Sequence, residues 1–211
     1  MKKPDSIIFD MDGTLWDPMD LYVASWNNGL KMSGVEKTLT KEDIKPLMGM
    51  EGRKVLEITL PEYDENERTE IYKVINEQRR TLMEQGEGTL FDGMAEGLRE
   101  LSSRYKLFIV SNCPAGIIQV FMKRAGIEEY ITDEMAYGVN FMPKHHNIQI
   151  LREKHDLLNP VYVGDTEGDR EQSEKAGIPF VFISCGFGSV DKYDQAFDDF
   201  RSLTRYFMDL K

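Results

Sequence analysis

The chain has 211 residues, 41% of them hydrophobic, and a formal net charge of −11 at pH 7. This length and hydrophobic content predict one substantial domain, or a domain that carries an inserted one. The negative charge argues against sequence-independent binding to nucleic acid or to anionic membrane surfaces. No run of about 18 apolar residues is present, so we expect a cytoplasmic protein that is not associated with a membrane. The two cysteines, Cys113 and Cys185, lack metal-ligand spacing and indicate neither a zinc site nor a disulfide framework.

Four short apolar runs are typical of β-strands, and helical patterns lie between them. The runs cover residues 6–10, 105–112, 160–165 and 179–184. Strands that alternate with helices in this way predict an α/β protein, with a parallel sheet covered by helices on both faces. Ligands of such sheets bind beyond the carboxyl ends of the strands, and polar residues follow the apolar runs at those ends.

Residues 17–88 contain no convincing strand, and their apolar residues recur at helical spacing. We therefore predict an α-helical insertion at residues 17–88, while residues 1–16 and 89–211 form the sheet domain. Further helical patterns cover residues 144–155, 166–176 and 194–210. The last pattern is interpreted as packing on the surface only.

Four aspartates are expected to converge at the strand ends. Asp10 and Asp12 follow the first apolar run in "SIIFDMDGTLWD", where Gly13 permits a tight turn. Asp165 and Asp169, in "GDTEGD", follow another run and begin a helix, where a spacing of four places them on one face. Carboxylates packed this closely repel one another unless a cation compensates them. Oxygen ligands in this number favour Mg²⁺ where phosphate is handled.

Hydrogen-bond donors and positive charge come from two other positions. Ser111 and Asn112 close the second apolar run and can offer donors to a phosphate oxygen. Lys144 opens a helical segment, and its point charge can hold both a phosphate and a carboxylate.

The motifs "DMDGTLWD", "VSN", "PK" and "VGDTEGD", in this order, resemble those of the haloacid dehalogenase superfamily of phosphohydrolases. The resemblance covers essentially the whole chain and is to the branch of phosphoglycolate phosphatases and β-phosphoglucomutase. It implies a Rossmann-like parallel sheet in which residues 17–88 form a small α-helical cap.

The resemblance also implies a role for each motif residue. Asp10 would be the nucleophile that accepts the phosphoryl group, and Asp12 the acid that protonates the leaving oxygen and later activates water. Lys144 would stabilise the nucleophile and the phosphate. The phosphate would be held by Thr14, Ser111 and Asn112. The Mg²⁺ ligands would be Asp10, the backbone carbonyl of Asp12, Asp165 and Asp169.

The helical insertion offers candidates for substrate recognition. In "GMEGRKVLE", Arg53 and Lys54 lie at the start of a helix, and the guanidinium of Arg53 could grip a second anionic group of the substrate. A solvated cation at a helix start is an equally good interpretation of Arg53. Trp16 could line the substrate pocket, while Met19 and Tyr22 are better interpreted as packing residues of the cap.

The leading hypothesis is a Mg²⁺-dependent phosphatase that hydrolyses a small phosphorylated metabolite through an aspartyl-phosphate. A phosphosugar mutase similar to β-phosphoglucomutase would use the same site. A phospho-acceptor signalling module, or a binding protein that keeps the site without turnover, would also fit a Mg²⁺ pocket with a lysine. Haloacid dehalogenation is less favoured because it would leave Asp12 and the phosphate-binding residues without a purpose. The sequence does not predict an oligomeric state.

Overall fold

The structure, a computed structural model, describes residues 1–211 and contains eight strands. The strands are β1 (Ser6–Phe9), β2 (Trp16–Asp17), β3 (Thr89–Leu90), β4 (Lys106–Ser111), β5 (Asp133–Ala136), β6 (Pro160–Gly164), β7 (Phe180–Ile183) and β8 (Gln195–Phe197). Six of them form one parallel sheet in the order β5-β4-β1-β6-β7-β8. The four predicted runs are all strands of this sheet.

Ten α-helices connect or cover the strands. They are α1 (Met19–Met32), α2 (Lys41–Ile44), α3 (Gly52–Thr59), α4 (Glu65–Glu84), α5 (Met94–Ser102), α6 (Ile117–Ala125), α7 (Tyr137–Asn140), α8 (Lys144–His155), α9 (Glu167–Ala176) and α10 (Phe200–Asp209). Two short 3₁₀ turns, Lys45–Leu47 and Glu128–Tyr130, complete the secondary structure. None of the helices has the length and apolar character that crossing a membrane requires.

Helices cover both faces of the sheet. Side chains alternate between the two faces along each strand, so a strand with consecutive apolar residues makes both faces apolar. Ile7 and Phe9 of β1 belong to an apolar cluster that includes side chains of α5, α6 and α10. Ile8 belongs to a second cluster on the opposite face, with side chains of α8 and α9. This arrangement confirms the predicted α/β class with a parallel sheet.

The helical region α1–α4 builds a third apolar cluster of its own, around residues such as Trp26, Leu30 and Ile75. At its base, β2 and β3 pair antiparallel, with Trp16 opposite Leu90. Phe187, from the loop after β7, packs against this cluster, so the helical region and the sheet also contact each other. The division of the chain into residues 17–88 and the remainder stays a prediction.

The C-terminal segment corrects the prediction of one helix over residues 194–210. Residues 195–197 form the edge strand β8, and α10 begins only at Phe200, where Asp199 accepts a 2.7 Å hydrogen bond from the Ser202 N–H as an N-cap. The interpretation as surface packing was also wrong. Phe200, Leu203 and Phe207 are buried in the cluster that covers β1.

Truncation of a buried residue of α10 tests this packing. Phe207→Ala is expected to lower the free energy of unfolding by about 3–5 kcal/mol, because a fully buried aromatic ring is removed and a cavity remains. The matched control is Arg205→Ala on the exposed face of the same helix, which should change stability by less than about 0.5 kcal/mol. Urea unfolding of both variants measures the difference, and equal losses would contradict the assigned packing.

Candidate active site

The predicted site residues meet at the carboxyl ends of three neighbouring strands. Asp10 directly follows β1, Ser111 ends β4 on one side of it, and Asp165 directly follows β6 on the other. Lys144 and Asp169 come from the first turns of α8 and α9. The crevice at this edge of a parallel sheet is where ligands of such folds bind.

Lys144 joins two carboxylates inside the protein. Its Nζ lies 2.7 Å from Asp10 Oδ1 and 2.7 Å from Asp169 Oδ1. All three side chains are buried. Burial lowers the pKa of Lys144, but Asp10 and Asp169 raise it more strongly, so the pKa lies well above its usual range. The ammonium group is therefore charged at neutral pH.

Asp10, Asp165 and Asp169 each offer one carboxylate oxygen to a cluster in which these atoms lie within 4.8 Å of one another. Burial, followed by the nearby Asp169, raises the pKa of Asp165 to about 7. Burial also raises the pKa of Asp10 well above its usual range, against the opposing effect of Lys144. The folded chain thus holds these carboxylates where their ionised forms need further positive charge.

The donor set fits a divalent cation. Asp10 Oδ2 is buried and has no hydrogen-bond partner, so one oxygen of the cluster is free to bind a ligand. Four aspartates are buried in the protein against two buried cations, Lys144 and Arg79. The ionised site would therefore lack two positive charges. Carboxylate oxygens in this number are the ligands that hard divalent cations such as Mg²⁺ prefer.

Asp12 lies in a different environment from Asp10. Its Oδ1 accepts a 2.8 Å hydrogen bond from Trp16 Nε1, and its Oδ2 accepts a 2.7 Å bond from the Tyr22 hydroxyl. Its side chain takes no part in the cluster of three carboxylates. Burial raises the pKa of Asp12, although the bonds from Tyr22 and Trp16 lower it. A raised pKa favours a carboxyl group that can carry a proton.

The residues predicted to hold phosphate are placed differently from one another. The Thr14 hydroxyl donates to Asp165 Oδ1 at 3.3 Å and therefore faces the carboxylate cluster. Ser111 and Asn112 line the cavity above Asp10. The Asn112 amide nitrogen donates to the Gly49 carbonyl at 2.8 Å, which ties the helical region to the sheet.

The structure does not bring Arg53 to the site. Its side chain is exposed and pairs with Glu65 at 2.7 Å, because the start of α3 faces the start of α4. Trp16 does not line the pocket either. It is fully buried, packs against Phe121 at 5.2 Å between ring centroids, and acts on the site only through its bond to Asp12.

Sequence reasoning missed Arg79 of the helical region, and it interpreted Tyr22 as a packing residue, whereas the Tyr22 hydroxyl donates to Asp12. Arg79 is buried, and its guanidinium carbon lies 4.1 Å from the centre of the Tyr22 ring. Burial lowers the pKa of Arg79, but the neighbouring Tyr22, Tyr72 and Asp12 raise it overall. One signal for Arg79 was present. It continues the four-residue spacing of Ile71 and Ile75, which places a charge in the buried stripe of α4.

The cavity lies between the sheet and the helical region, and about 540 Å³ of space free of protein atoms, open solvent at its mouth included, belongs to it. The sheet contributes the polar floor, and the helical region contributes Arg79 and a mostly apolar roof. The lining residues of the floor are Asp10, Asp12, Ser111, Asn112 and Lys144.

A family model described as haloacid dehalogenase-like hydrolase matches residues 7–183. The chain belongs to this family. Membership confirms the predicted haloacid dehalogenase superfamily and the predicted enzyme class, the phosphoric monoester hydrolases. The matched region contains the four buried aspartates and Lys144.

Individual relatives of the family match most of the chain. The phosphoglycolate phosphatase of Agrobacterium fabrum is 26% identical over 213 residues, covering 93% of this chain and 89% of that protein. The 5'-nucleotidase of Pseudomonas aeruginosa is 23% identical over 196 residues, covering 89% of this chain and 86% of that protein. A haloacid dehalogenase-like hydrolase from Streptococcus pneumoniae superposes with a TM-score of 0.84 at 22% identity, covering 98% of this chain and 100% of the other. This last likeness shows the fold alone.

The close approach of the Gly13 turn to Asp165 can be tested by substitution. Gly13 has a φ of +85°, and a Cβ there would lie 2.2 Å from Asp165 Oδ2. Gly13→Ala is therefore expected to displace that carboxylate, in addition to the strain of a left-handed backbone. Gly177→Ala is the matched control, since Gly177 has a φ of +68° and a Cβ added there would meet no atom within 4 Å.

Chemical denaturation of the two variants separates the effects. We expect Gly177→Ala to cost about 1–2 kcal/mol of unfolding free energy through backbone strain alone. Gly13→Ala should cost about 1–3 kcal/mol more, because the added methyl group overpacks a buried site. Equal losses would show that the turn and Asp165 are not in close contact.

Proposed function

We propose that this protein is a Mg²⁺-dependent phosphatase that hydrolyses a small phosphorylated metabolite through an aspartyl-phosphate on Asp10. The observation that carries the proposal is the buried, unpartnered Asp10 Oδ2 at the floor of the cavity, beside the ammonium of Lys144. A carboxylate with one oxygen held and the other free is suited to attack phosphorus once its charge is screened from the phosphate.

In the first step, a carboxylate oxygen of Asp10 forms a bond to phosphorus as the bond between phosphorus and the leaving oxygen breaks. Asp12 gives its proton to that leaving oxygen, so the product departs as a neutral alcohol. Trp16 and Tyr22 hold the two oxygens of Asp12 and thereby orient the carboxyl group. Lys144 offsets the negative charge that develops on the phosphoryl oxygens.

In the second step, Asp12 is a carboxylate and acts as a base. It takes a proton from a water molecule as the water oxygen attacks phosphorus, and the bond between phosphorus and Asp10 breaks. Inorganic phosphate leaves, and Asp10 is again a free carboxylate. The hydrogen bonds from Trp16 and Tyr22 stabilise Asp12 as an anion between the two steps.

Mg²⁺ would be held by Asp10, Asp165 and the backbone carbonyl of Asp12, with Asp169 contributing directly or through water. When bound, the ion would supply positive charge that brings the phosphate and the nucleophile together. Thr14 and the Phe187 N–H each hold one oxygen of Asp165 and fix its orientation. Hydrogen bonds of this kind to a metal-binding carboxylate fix its orientation and adjust its affinity for the ion.

We assign residues 17–88 the role of a cap that covers the substrate and excludes water from the reaction. Support comes from the cavity, whose roof consists of residues from this region, and from the bond between Asn112 and Gly49 that joins it to the sheet. The relatives are named for phosphoglycolate and for nucleotides, and both are small phosphorylated molecules. The substrate of this protein is therefore proposed to be a small phosphorylated molecule as well.

The nucleophile is tested by phosphate release from a panel of phosphorylated metabolites and an aryl phosphate, with Mg²⁺ or with EDTA. Wild-type protein should release phosphate only with the metal. Asp10→Asn should lower kcat by at least about a thousandfold, because the amide cannot form the covalent intermediate, and its circular dichroism spectrum should remain native. An Asp10→Asn protein with wild-type kcat would contradict the assignment. Conversion of a phosphosugar without phosphate release would favour the mutase.

Metal binding has an independent readout in thermal unfolding. Mg²⁺ should raise the Tm of the wild-type protein, by about 2–4 °C for each kcal/mol of binding free energy, because the ion balances buried carboxylates. Asp165→Asn should largely lose this rise. Glu167→Gln, an exposed substitution two residues away, should keep it. A rise of the same size in Asp165→Asn would exclude Asp165 as a ligand.

A further inference from the structure

Arg79 is a buried cation without an anionic partner. It is 3% exposed, yet no carboxylate oxygen lies within 4.0 Å of its guanidinium nitrogens, and its Nε has no hydrogen-bond partner. Lys144, the other buried cation, instead joins Asp10 and Asp169. A buried guanidinium carries a desolvation penalty, and no carboxylate pairs with this one directly to offset it. Packing of the helical region alone therefore does not account for a charged side chain at this buried position.

The guanidinium is held in place by a contact that leaves its Nε–H without a hydrogen-bond partner. Its carbon lies 4.1 Å from the centre of the Tyr22 ring, the distance of a cation–π interaction. Stacking of this kind occupies the face of the guanidinium and not the N–H groups at its edge. Arg79 lines the cavity, so these donors adjoin the space that a substrate would fill.

Arg79 also lies on the leaving-group side of the site. Tyr22, on which it stacks, donates its hydroxyl hydrogen to Asp12, and Arg79 is near enough to lower the pKa of Asp12. In the proposed reaction Asp12 protonates the leaving oxygen. A group bound to Arg79 therefore belongs to the part of the substrate that departs as the alcohol.

We propose that Arg79 binds a second oxyanion, a carboxylate or a second phosphate, carried by the leaving group of the substrate. This inference rests on the proposed phosphatase function and names its substrate class. Arg79 is the one cation that the helical region contributes to the cavity, because Arg53 pairs with Glu65 outside it. The remaining roof is largely apolar and includes Trp26, Ile44, Leu47 and Val55. One oxyanion on a short carbon skeleton matches this lining.

Paired substrates test the inference. Phosphoglycolate is compared with 2-hydroxyethyl phosphate, in which an uncharged alcohol replaces the carboxylate, and xylulose 1,5-bisphosphate is compared with xylulose 5-phosphate. Wild-type kcat/KM should favour the doubly anionic member of at least one pair by about tenfold or more, the size expected for charge-assisted hydrogen bonds. The pair that shows the preference distinguishes a carboxylate from a phosphate.

Arg79→Gln should abolish this preference, because kcat/KM for the doubly charged member should fall about tenfold further than kcat/KM for the singly charged member. Arg53→Gln is the matched control and should keep the wild-type preference, because it removes an exposed arginine of the same helical region. Arg79→Met, which fills the buried space without a charge, should keep the wild-type Tm and also lose the preference. Arg79→Lys should retain part of it, since it keeps a point charge without the planar fork.

Two results would overturn the inference: an equal loss on both members of each pair in Arg79→Met, or a wild-type protein without preference in either pair. Calorimetry on Asp10→Asn with Mg²⁺ gives a readout that needs no turnover. If the wild-type protein released no phosphate, the proposed function would fail. The role of Arg79 would then be decided by binding alone. Asp10→Asn should bind phosphoglycolate more tightly than 2-hydroxyethyl phosphate, and the added substitution Arg79→Gln should remove this difference; equal affinities in Asp10→Asn would contradict the role.

Discussion

The contact of Lys144 with Asp10 and Asp169 is the constraint around which the sheet end is organised. An unpaired ammonium or carboxylate in the interior costs several kcal/mol, so Asp10 and Asp169 each need Lys144 in place, and Lys144 needs a carboxylate. The contact requires the end of β1, the first turn of α8 and the first turn of α9 to meet within hydrogen-bond distance. The parallel sheet satisfies this requirement because β1 and β6 are neighbours whose carboxyl ends lie together.

The same strand end produces two aspartates of different character, although they are only two residues apart. Asp10 is surrounded by charges, whereas the oxygens of Asp12 meet two uncharged donors, Trp16 and Tyr22. A carboxylate among charges is suited to remain ionised once a cation is present, and one among neutral donors in a buried pocket can exchange a proton. The different roles proposed for Asp10 and Asp12 therefore rest on their surroundings, since the two residues are of the same type.

The sequence predicted the parts of this structure that depend on local pattern. The central strands are continuous apolar runs, and the aspartates and Lys144 follow from the order of motifs along the chain. The edge strands β5 and β8 were missed because edge strands are short and one of their neighbours is solvent, so "DEMA" and "QAF" lack an apolar run. Sequence reasoning singled out Arg53 and overlooked the spacing that places Arg79 in the buried stripe of α4, and only the structure shows that Arg53 is solvated.

Tyr22 contacts both the proposed acid, Asp12, and the proposed substrate-binding residue, Arg79. It comes from α1 of the helical region, yet its hydroxyl holds Asp12 and its ring carries Arg79. In the proposed reaction, a substrate that engages Arg79 therefore acts on the same tyrosine that orients the acid. In that reaction the charges of the floor would serve every phosphate monoester alike, because they would contact only the phosphoryl group and its metal. Discrimination among substrates would then come from the roof, where Arg79 is the one cation in a largely apolar surface.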